Sequence, residues 1–418
     1  IDEMMNQILP KDIQYVQKVL MSLIFLCITQ LFIYLNRVQP YYFIDEVFHV
    51  PQTLRYCGCY FQWDPKITTL PGLYLIATLI LSPLKLCNIF YMRCINLFGT
   101  FLNLYLAHSI IKQISITHWT QRWNNWMKFT VACNIMFFPP LFFWHFLYYT
   151  DVASVNAILL MLLLHLYKKF KMALLWEKIM QETCHGWKLF IKFIIQLGVQ
   201  LFPYIAVCFM FIAFVVWNKA IVVGDKTAHV PTVHIPQLLY FSTFLFCFLW
   251  PHMIIYWKDY LKFISKHWVF ASSILILLTI IVHFNTLVHP YMLADNRHYV
   301  FYFWNRLMGR YKQFKYLLVP IYSFTLYTMF HGLKHLRFMT QINYIIMISV
   351  VLIPQLLIEP RYFIIPYILY RFLVKEPKKW QIIAESITVI IVNFLQFYIF
   401  VNKVFYWNDQ PYPQRISW

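Results

Sequence analysis

Charge is what this chain has least of. Only 12% of its 418 residues are charged and 61% are hydrophobic, whereas soluble globular proteins carry about 25% charged residues. A surface so poor in charge does not face water over most of its area, which excludes an ordinary soluble enzyme or binding domain. Glycine is scarce as well, at 8 residues, which argues against a bundle held mainly by small-residue seams. The nine cysteines lack zinc-ligand spacing. Cys57-Gly58-Cys59 is too short for a metal knuckle or a redox CxxC, and the cysteines read as scattered. One of those two would pair with another cysteine only if the segment faced an oxidising compartment. No Asn-x-Ser/Thr acceptor occurs, so the chain is not expected to carry an N-glycan. Internal repeats and low-complexity linkers are also missing.

What is present is a series of apolar runs. A membrane span needs about 20 mostly apolar residues, and such runs begin near residues 17, 70, 93, 127, 152, 189, 205, 235, 269, 314, 342 and 382, with a shorter one at 362–374. The pattern predicts an all-α polytopic membrane protein of roughly a dozen transmembrane helices, folded as a single domain over 1–418. The stretches 112–151 and 168–235 can each be divided in more than one way. No cleavable signal peptide is expected. The first run, near Leu20–Leu35, follows Lys11 and Lys18 and reads as an uncleaved anchor with a cytosolic N-terminus. Aromatics at 20% suit interfacial belts. The net charge of +19 comes from clusters between apolar runs, such as Lys168-Lys169-Phe170-Lys171 and Lys375-Glu376-Pro377-Lys378-Lys379. Cytosolic-loop charge under the positive-inside rule, with attraction to anionic lipid, accounts for it. No nucleic-acid partner is expected.

The acids are informative because there are only 16. Asp45, Glu46, Asp64, Asp151, Asp295 and Glu359 sit where spans meet loops, and acids do not reach the hydrocarbon edge without a partner or a task. The bland reading of each is an interfacial acid paired with a nearby base. Asp45 and Glu46 belong to the loop 38–69, lumenal if the N-terminus is cytosolic. As neighbours they repel, which would raise one pKa toward that of a base. A single carboxylate at a membrane surface suits inverting glycosyl transfer, where it takes the proton of an acceptor hydroxyl as that oxygen attacks the anomeric carbon. A lipid-borne phosphate leaving group then needs cations or helix N-termini. Ala294-Asp295-Asn296-Arg297-His298-Tyr299 supplies such groups, Arg297 with a planar, permanent charge and His298 with a second donor. Its alternative is a polar loop with a Tyr anchor. Thr68-Thr69-Leu70-Pro71-Gly72 opens a helix, and its threonines read first as caps. The first-loop aromatics read as an interface belt, with Trp63, beside Asp64, the best sugar-stacking exception.

These residues also form recognisable strings: Asp45-Glu46-Val47-Phe48-His49-Val50-Pro51-Gln52, Arg55-Tyr56-Cys57, and Trp63-Asp64-Pro65-Lys66-Ile67-Thr68-Thr69-Leu70-Pro71-Gly72-Leu73-Tyr74. Further on come Phe146-Leu147-Tyr148-Tyr149-Thr150-Asp151, Val223-Gly224-Asp225-Lys226, the stretch 293–304, Lys315-Tyr316-Leu317-Leu318-Val319-Pro320 and Arg361-Tyr362-Phe363-Ile364. Nearly end to end, the chain resembles the ER α-1,2-glucosyltransferase family of asparagine-linked glycosylation. That family adds the terminal, third glucose to the dolichyl-diphosphate oligosaccharide from dolichyl-phosphate glucose.

The resemblance implies a GT-C type fold in the ER membrane with its active site facing the lumen, and a base in the first lumenal loop. It implies inversion by a single displacement, with dolichyl-phosphate glucose and the lipid-linked oligosaccharide as partners; no metal-ligand cluster appears in the sequence, and no cofactor or metal is expected. The base is carried onto Asp45, with Glu46 as alternate. Substrate contacts fall to His49, Gln52, Trp63, Asp64, Thr68, Thr69, Asp151, Asp295, Asn296, Arg297, His298, Tyr299, Glu359, Arg361 and Tyr362. One departure is visible. The family's segment with a Phe-Arg-Gln-Thr-Asn signature is missing where the chain passes from Leu166-Tyr167-Lys168-Lys169 to Trp176-Glu177-Lys178 and Cys184-His185-Gly186. Two other classes therefore stay open: a polytopic transporter, which intramembrane acids would suit, and an inactive membrane scaffold.

Overall fold

A computed structural model describes residues 11–118, 125–182, 198, 202, 205–226, 231–408 and 410–418. The run expected near 189 and the Cys184-His185-Gly186 junction lie outside the described residues. Helices dominate, and among the described residues sheet is limited to one two-stranded ribbon, Val404–Phe405 with Gln414–Arg415. Among the described residues six helical stretches are long and apolar enough to cross a membrane: Val19–Val38, Ile89–Ile116, Thr150–Tyr167, Pro236–Lys266, Trp268–Asn285 and Lys379–Asn402. Their outward faces are apolar, as at Phe98, Phe284 and Phe394, the surface that lipid tails solvate and water does not.

The predicted runs near 205, 314 and 342 form shorter helices, Ile205–Asn218, Val319–Leu333 and Phe338–Leu352, and two further runs depart more. The run near residue 70 becomes the helix Gly72–Leu81. At about 1.5 Å per residue its 10 residues reach only about half of the ~30 Å hydrocarbon core. It packs against the first-loop helix Glu46–Cys57 and belongs to the same folded cap as the loop 38–69. The run near 127 is divided at Phe137-Phe138 into Asn125–Met136 and Pro139–Trp144, because Pro139 and Pro140 end one helix and suit the first turn of the next. Hydropathy cannot separate such broken or half-length helices from full spans.

The core is aromatic. Phe138 stacks on Tyr367 at 3.7 Å, and Phe142, Phe143, Phe146, Phe397 and Phe400 meet edge to face, the arrangement that ring quadrupoles favour. Ile89–His118 packs on Thr150–Glu182, and Pro236–Met253 packs on Val319–Leu333 and on Lys379–Asn402. Chain reversals put 254–267, 334–337 and 374–378 at one end of the bundle and 38–88, 286–318 and 353–363 at the other. The first of these reversals carries Trp257–Lys266, whose apolar stripe is opposed by Lys258, Lys262 and Lys266, the pattern of a helix lying in the membrane interface.

The cap is tied in three ways. A disulfide joins Cys57 to Cys87, so Cys57 is not one of the scattered thiols that its spacing suggested. Gly224 lies directly on the backbone of Pro65 and Ile67, where any side chain would collide with a carbonyl. The amide of Val223 donates to the Thr68 carbonyl at 3.3 Å. The third tie is Glu46, buried at the start of its helix.

Candidate active site

The backbone before the acid pair is unusual. Ile44 has φ +50°, a left-handed conformation that costs a β-branched residue about 1–3 kcal/mol and occurs mostly where a site requires it. The bend sends the two neighbouring carboxylates in different directions. Glu46, at 0% exposure, pairs with Arg93, at 1%. Arg93 donates Nε to Oε1 at 2.8 Å and Nη2 to Oε2 at 2.6 Å. Its other N–H groups go to the Asn36 side chain and to the carbonyls of Gln39 and Tyr41. The amides of Phe43 and Tyr148 complete the Glu46 carboxylate. Its acceptor capacity is filled by protein groups, so no oxygen of Glu46, the expected alternate base, is left for a substrate in this arrangement.

Asp45 turns the other way. Its amide donates to the Tyr149 hydroxyl at 2.9 Å, and that hydroxyl donates to the Phe43 carbonyl. Although Asp45 precedes a helix, its side chain makes no cap bond; Oδ2 accepts from Arg361 Nη1 at 2.7 Å. Arg361 also donates Nε and Nη2 to Glu359 Oε2 at 3.0 and 2.8 Å, and stands 4.0 Å from Asp151. The faces of Trp144 and Tyr149 lie against its guanidinium at 5.3 and 5.5 Å. One arginine thus gathers three acids from three distant stretches. Burial acts to raise the Asp45 pKa, but the charges of Arg361, His49 and His298 outweigh it and leave the carboxyl below its ordinary value.

One cavity of about 240 Å³ is lined by Asp45, Asp295, Arg297, His298, Glu359 and Arg361, among others. The first loop, the 293–304 stretch and the 359–362 stretch therefore meet in one place. Across the cavity from Asp45, Asp295 holds Arg297 through both oxygens, at 2.9 Å from Nε to Oδ1 and 2.7 Å from Nη2 to Oδ2. That pairing keeps the Asp295 pKa lowered against the raising effect of burial. A second, mostly apolar cavity of about 470 Å³ lies between Thr150–Glu182, Phe338–Leu352 and Ile364–Leu373. Asp151, Arg361 and Tyr362 line it, so Arg361 stands between the two.

The remaining expected contacts lie outside the first cavity. His49 is buried behind Asp45 with Nδ1 2.7 Å from the Tyr74 hydroxyl, and burial lowers its pKa although Asp45 acts to raise it. Gln52 brackets the first loop, donating to the Gln62 carbonyl and accepting from the Asp64 amide. Asp64 accepts from the Lys66 amide, Trp63 Nε1 donates to the Ile67 carbonyl, and the Thr69 hydroxyl meets Tyr74. Neither Thr68 nor Thr69 caps the following helix, whose cap position is Pro71. Asn296 accepts from Trp407 Nε1, and Tyr299 packs on Trp418. Among the described residues no group of three or more His, Cys, Asp or Glu is placed to hold a metal ion. Sequence reasoning missed Arg93, the pairing role of Tyr148 and Tyr149, and every contact of the C-terminal segment. Tyr148 and Tyr149 did stand inside a recognised string, but Arg93 had no local signal.

Fold and site together define a polytopic all-α membrane protein with a cavity of acids and arginines at one end of its bundle. The chain belongs to the DIE2/ALG10 family, whose pattern matches residues 39–180 and 173–372. It is 32% identical to the Homo sapiens protein named Dol-P-Glc:Glc(2)Man(9)GlcNAc(2)-PP-Dol alpha-1,2-glucosyltransferase, over 91% of this chain and 93% of that one. Relatives of the same name from Drosophila melanogaster and Debaryomyces hansenii are 33% and 31% identical, over 90% and 96% of this chain and 94% and 99% of theirs. The alignment with the human protein runs to 445 positions, longer than this chain, so that relative has residues this chain lacks. No solved structure matches.

Proposed function

We propose that this chain transfers glucose from dolichyl-phosphate glucose to the diglucosylated, dolichyl-diphosphate-linked oligosaccharide. The product is the terminal α-1,2-glucose used in protein N-glycosylation. The observation that carries the reading is the cavity in which Asp45 faces two arginines; the names of relatives that match over nearly their whole length supply the substrates. The fold is read as GT-C type, with the shorter helices completing roughly a dozen membrane segments. The cavity end is read as facing the ER lumen. A Cys57–Cys87 disulfide at that end supports an oxidising compartment, and the interfacial lysines of Trp257–Lys266 lie at the other end.

In this reading Asp45 is the general base. With its pKa lowered it is ionised at neutral pH, the form that accepts a proton. Arg361 bonds only Oδ2, which leaves Oδ1 for the acceptor hydroxyl. As that oxygen attacks the anomeric carbon, its proton passes to Asp45. The carbon–oxygen bond to phosphate breaks from the opposite side, so a β-linked donor gives an α-linked product. The departing electron pair stays on the lipid phosphate, which gains negative charge. Arg297 and Arg361 line the same cavity and are the donors to meet it; His298, whose Nδ1–H is taken by the Trp418 carbonyl, adds a donor at Nε2 only as the imidazolium. Both arginines are already paired with acids, so the site is held ready without a bare cation, and the phosphate competes with Asp295 and Glu359 for the guanidinium forks. When Arg361 turns toward phosphate, Asp45 loses its partner and becomes a stronger base. The apolar second cavity beside Arg361 suits the lipid portion of a substrate.

The test uses microsomes lacking their own activity and carrying this chain. Supplied with dolichyl-phosphate glucose and the diglucosylated acceptor, they are expected to form a triglucosylated product whose last glucose is α-1,2-linked. Absence of product under conditions where a known relative works would overturn the reading in favour of a transporter or scaffold.

A further inference from the structure

After Lys379–Asn402 the chain does not leave the molecule. It folds back as the ribbon Val404–Phe405 with Gln414–Arg415 and ends its path against the 294–299 loop. The family pattern stops at residue 372, so this segment lies beyond what that match describes. Its contacts with the loop are numerous and mostly directional. The ring of Trp407 stacks on the Arg297 guanidinium at 4.7 Å, and its Nε1 donates to Asn296 Oδ1 at 3.0 Å. The Ser417 amide donates to the Arg297 carbonyl at 2.7 Å, and the Tyr299 amide donates to the Ser417 carbonyl at 3.0 Å. His298 Nδ1 lies 2.7 Å from the Trp418 carbonyl. A carbonyl only accepts, so Nδ1 carries a proton there, and the bond fixes the orientation of the His298 ring.

The other side of the segment is anchored to the first loop. Arg415, 7% exposed, donates to Gln39 Oε1 and to the carbonyls of Val38, Phe400 and Val401. Tyr412 stacks on Tyr41 at 4.5 Å. A single segment therefore ties the wall that carries Asp45 to the wall that carries Arg297 and His298.

We infer that residues 404–408 and 410–418 form a positioning clamp for the donor side of the site, with Trp407 holding Arg297 in place and Trp418 fixing the orientation of the His298 ring. The inference rests on the reading of the cavity as a glycosyl-transfer site. None of the clamp residues lines the cavity; each acts through Arg297 or His298. A guanidinium held over the face of an indole is less free to swing away when phosphate competes for Asp295, so its fork stays aimed at the cavity.

The test compares Trp407→Ala, Trp407→Phe and wild type in the full-length membrane-embedded chain. Glucose transfer is titrated separately in donor and acceptor, and amide hydrogen exchange is followed over 295–299. Trp407→Ala is expected to lower kcat/KM for the donor by roughly ten- to hundredfold, the size of one stacked cation with one hydrogen bond. The acceptor KM should stay at its wild-type value and exchange at Tyr299 should quicken. Trp407→Phe, which keeps a ring against Arg297, should recover most of the loss. Unchanged donor dependence in Trp407→Ala, or a Trp407→Phe as impaired as Trp407→Ala, would overturn the inference. Should the wild type transfer no glucose, the reading of the site would fall, and the exchange measurement alone would judge the clamp: protection of 295–299 unchanged in Trp407→Ala would overturn it.

Discussion

Asp45 and Glu46 are adjacent acids, each paired with an arginine, and they have opposite fates. Glu46 is 0% exposed and Arg93 1%, and every donor and acceptor between them is matched by protein. Asp45 is 31% exposed and Arg361 17%, at a cavity wall, and Arg361 is shared among three acids. The first pair has no capacity left for a substrate and acts as a bolt between the first helix, the first loop and Ile89–His118. The second keeps spare acceptor capacity facing open space. An ion pair at a membrane boundary is a structural or a chemical feature according to what its remaining lone pairs can reach, and burial alone does not tell which.

Breaking the buried pair should have the largest effect. Removing one partner of a buried ion pair leaves an uncompensated charge and costs about 3–5 kcal/mol. Glu46→Gln is expected to lower the thermal unfolding midpoint sharply in detergent and to reduce the yield of folded protein. A midpoint unchanged from wild type would put Glu46 back among candidate bases.

Next is the open pair. Arg361→Lys keeps the charge but loses the fork that reaches Asp45 and Glu359 together. Hydrogen bonds to charged groups contribute about 1.5–3 kcal/mol, which corresponds to roughly a ten- to hundredfold fall in transfer rate. The unfolding midpoint should move much less than for Glu46→Gln. A loss of folding as large as that of Glu46→Gln would show that the two pairs are alike and end the comparison.

The smallest effects are those of pH, and His49 and the two aspartates Asp45 and Asp295 titrate in different windows. His49 has its pKa lowered by burial. Below the unfolded value of about 6.5 the unfolded chain binds a proton that the folded chain does not. Stability contributed by this site therefore falls as pH drops below that point. Asp45 and Asp295 have lowered pKa values. Their contribution is present above an unfolded value of about 3.9 and is lost only as pH falls through the folded values. Unfolding midpoints measured from pH 8 to pH 5 should thus decline gently, and His49→Asn should flatten that decline. An unchanged slope in His49→Asn would remove His49 from the account.

Much of this site was legible in the sequence because each stretch of the cavity carries an acid or arginine beside an apolar run. Asp45, Asp295, Arg297, His298, Glu359 and Arg361 were found on that signal, and all six line the cavity. What was not legible depends on partners far along the chain. Arg93 reads as one more residue at a span end until it is seen 47 positions from Glu46 across the bundle. Trp407 and Trp418 look like interface aromatics, and only the fold brings them more than a hundred positions back to the 294–299 loop. Gln52, Trp63, Asp64 and Thr69 were expected as substrate contacts because they stand inside the strings that carry the family resemblance. The geometry turns the polar atoms of the first three onto one another and onto loop backbone, and the Thr69 hydroxyl onto that of Tyr74. Composition gave the all-α membrane class at once, while the number of spans did not follow, since Gly72–Leu81 is as apolar as a span but only 10 residues long.

The most direct test of the account is the rate of glucose transfer by Asp45→Asn, normalised to folded protein, with dolichyl-phosphate glucose and the diglucosylated acceptor both saturating. Asn keeps the shape of Asp and cannot take the proton. The account predicts a rate lower by about 10²–10⁴-fold with an unfolding midpoint close to wild type. A near-normal rate from well-folded Asp45→Asn would contradict it.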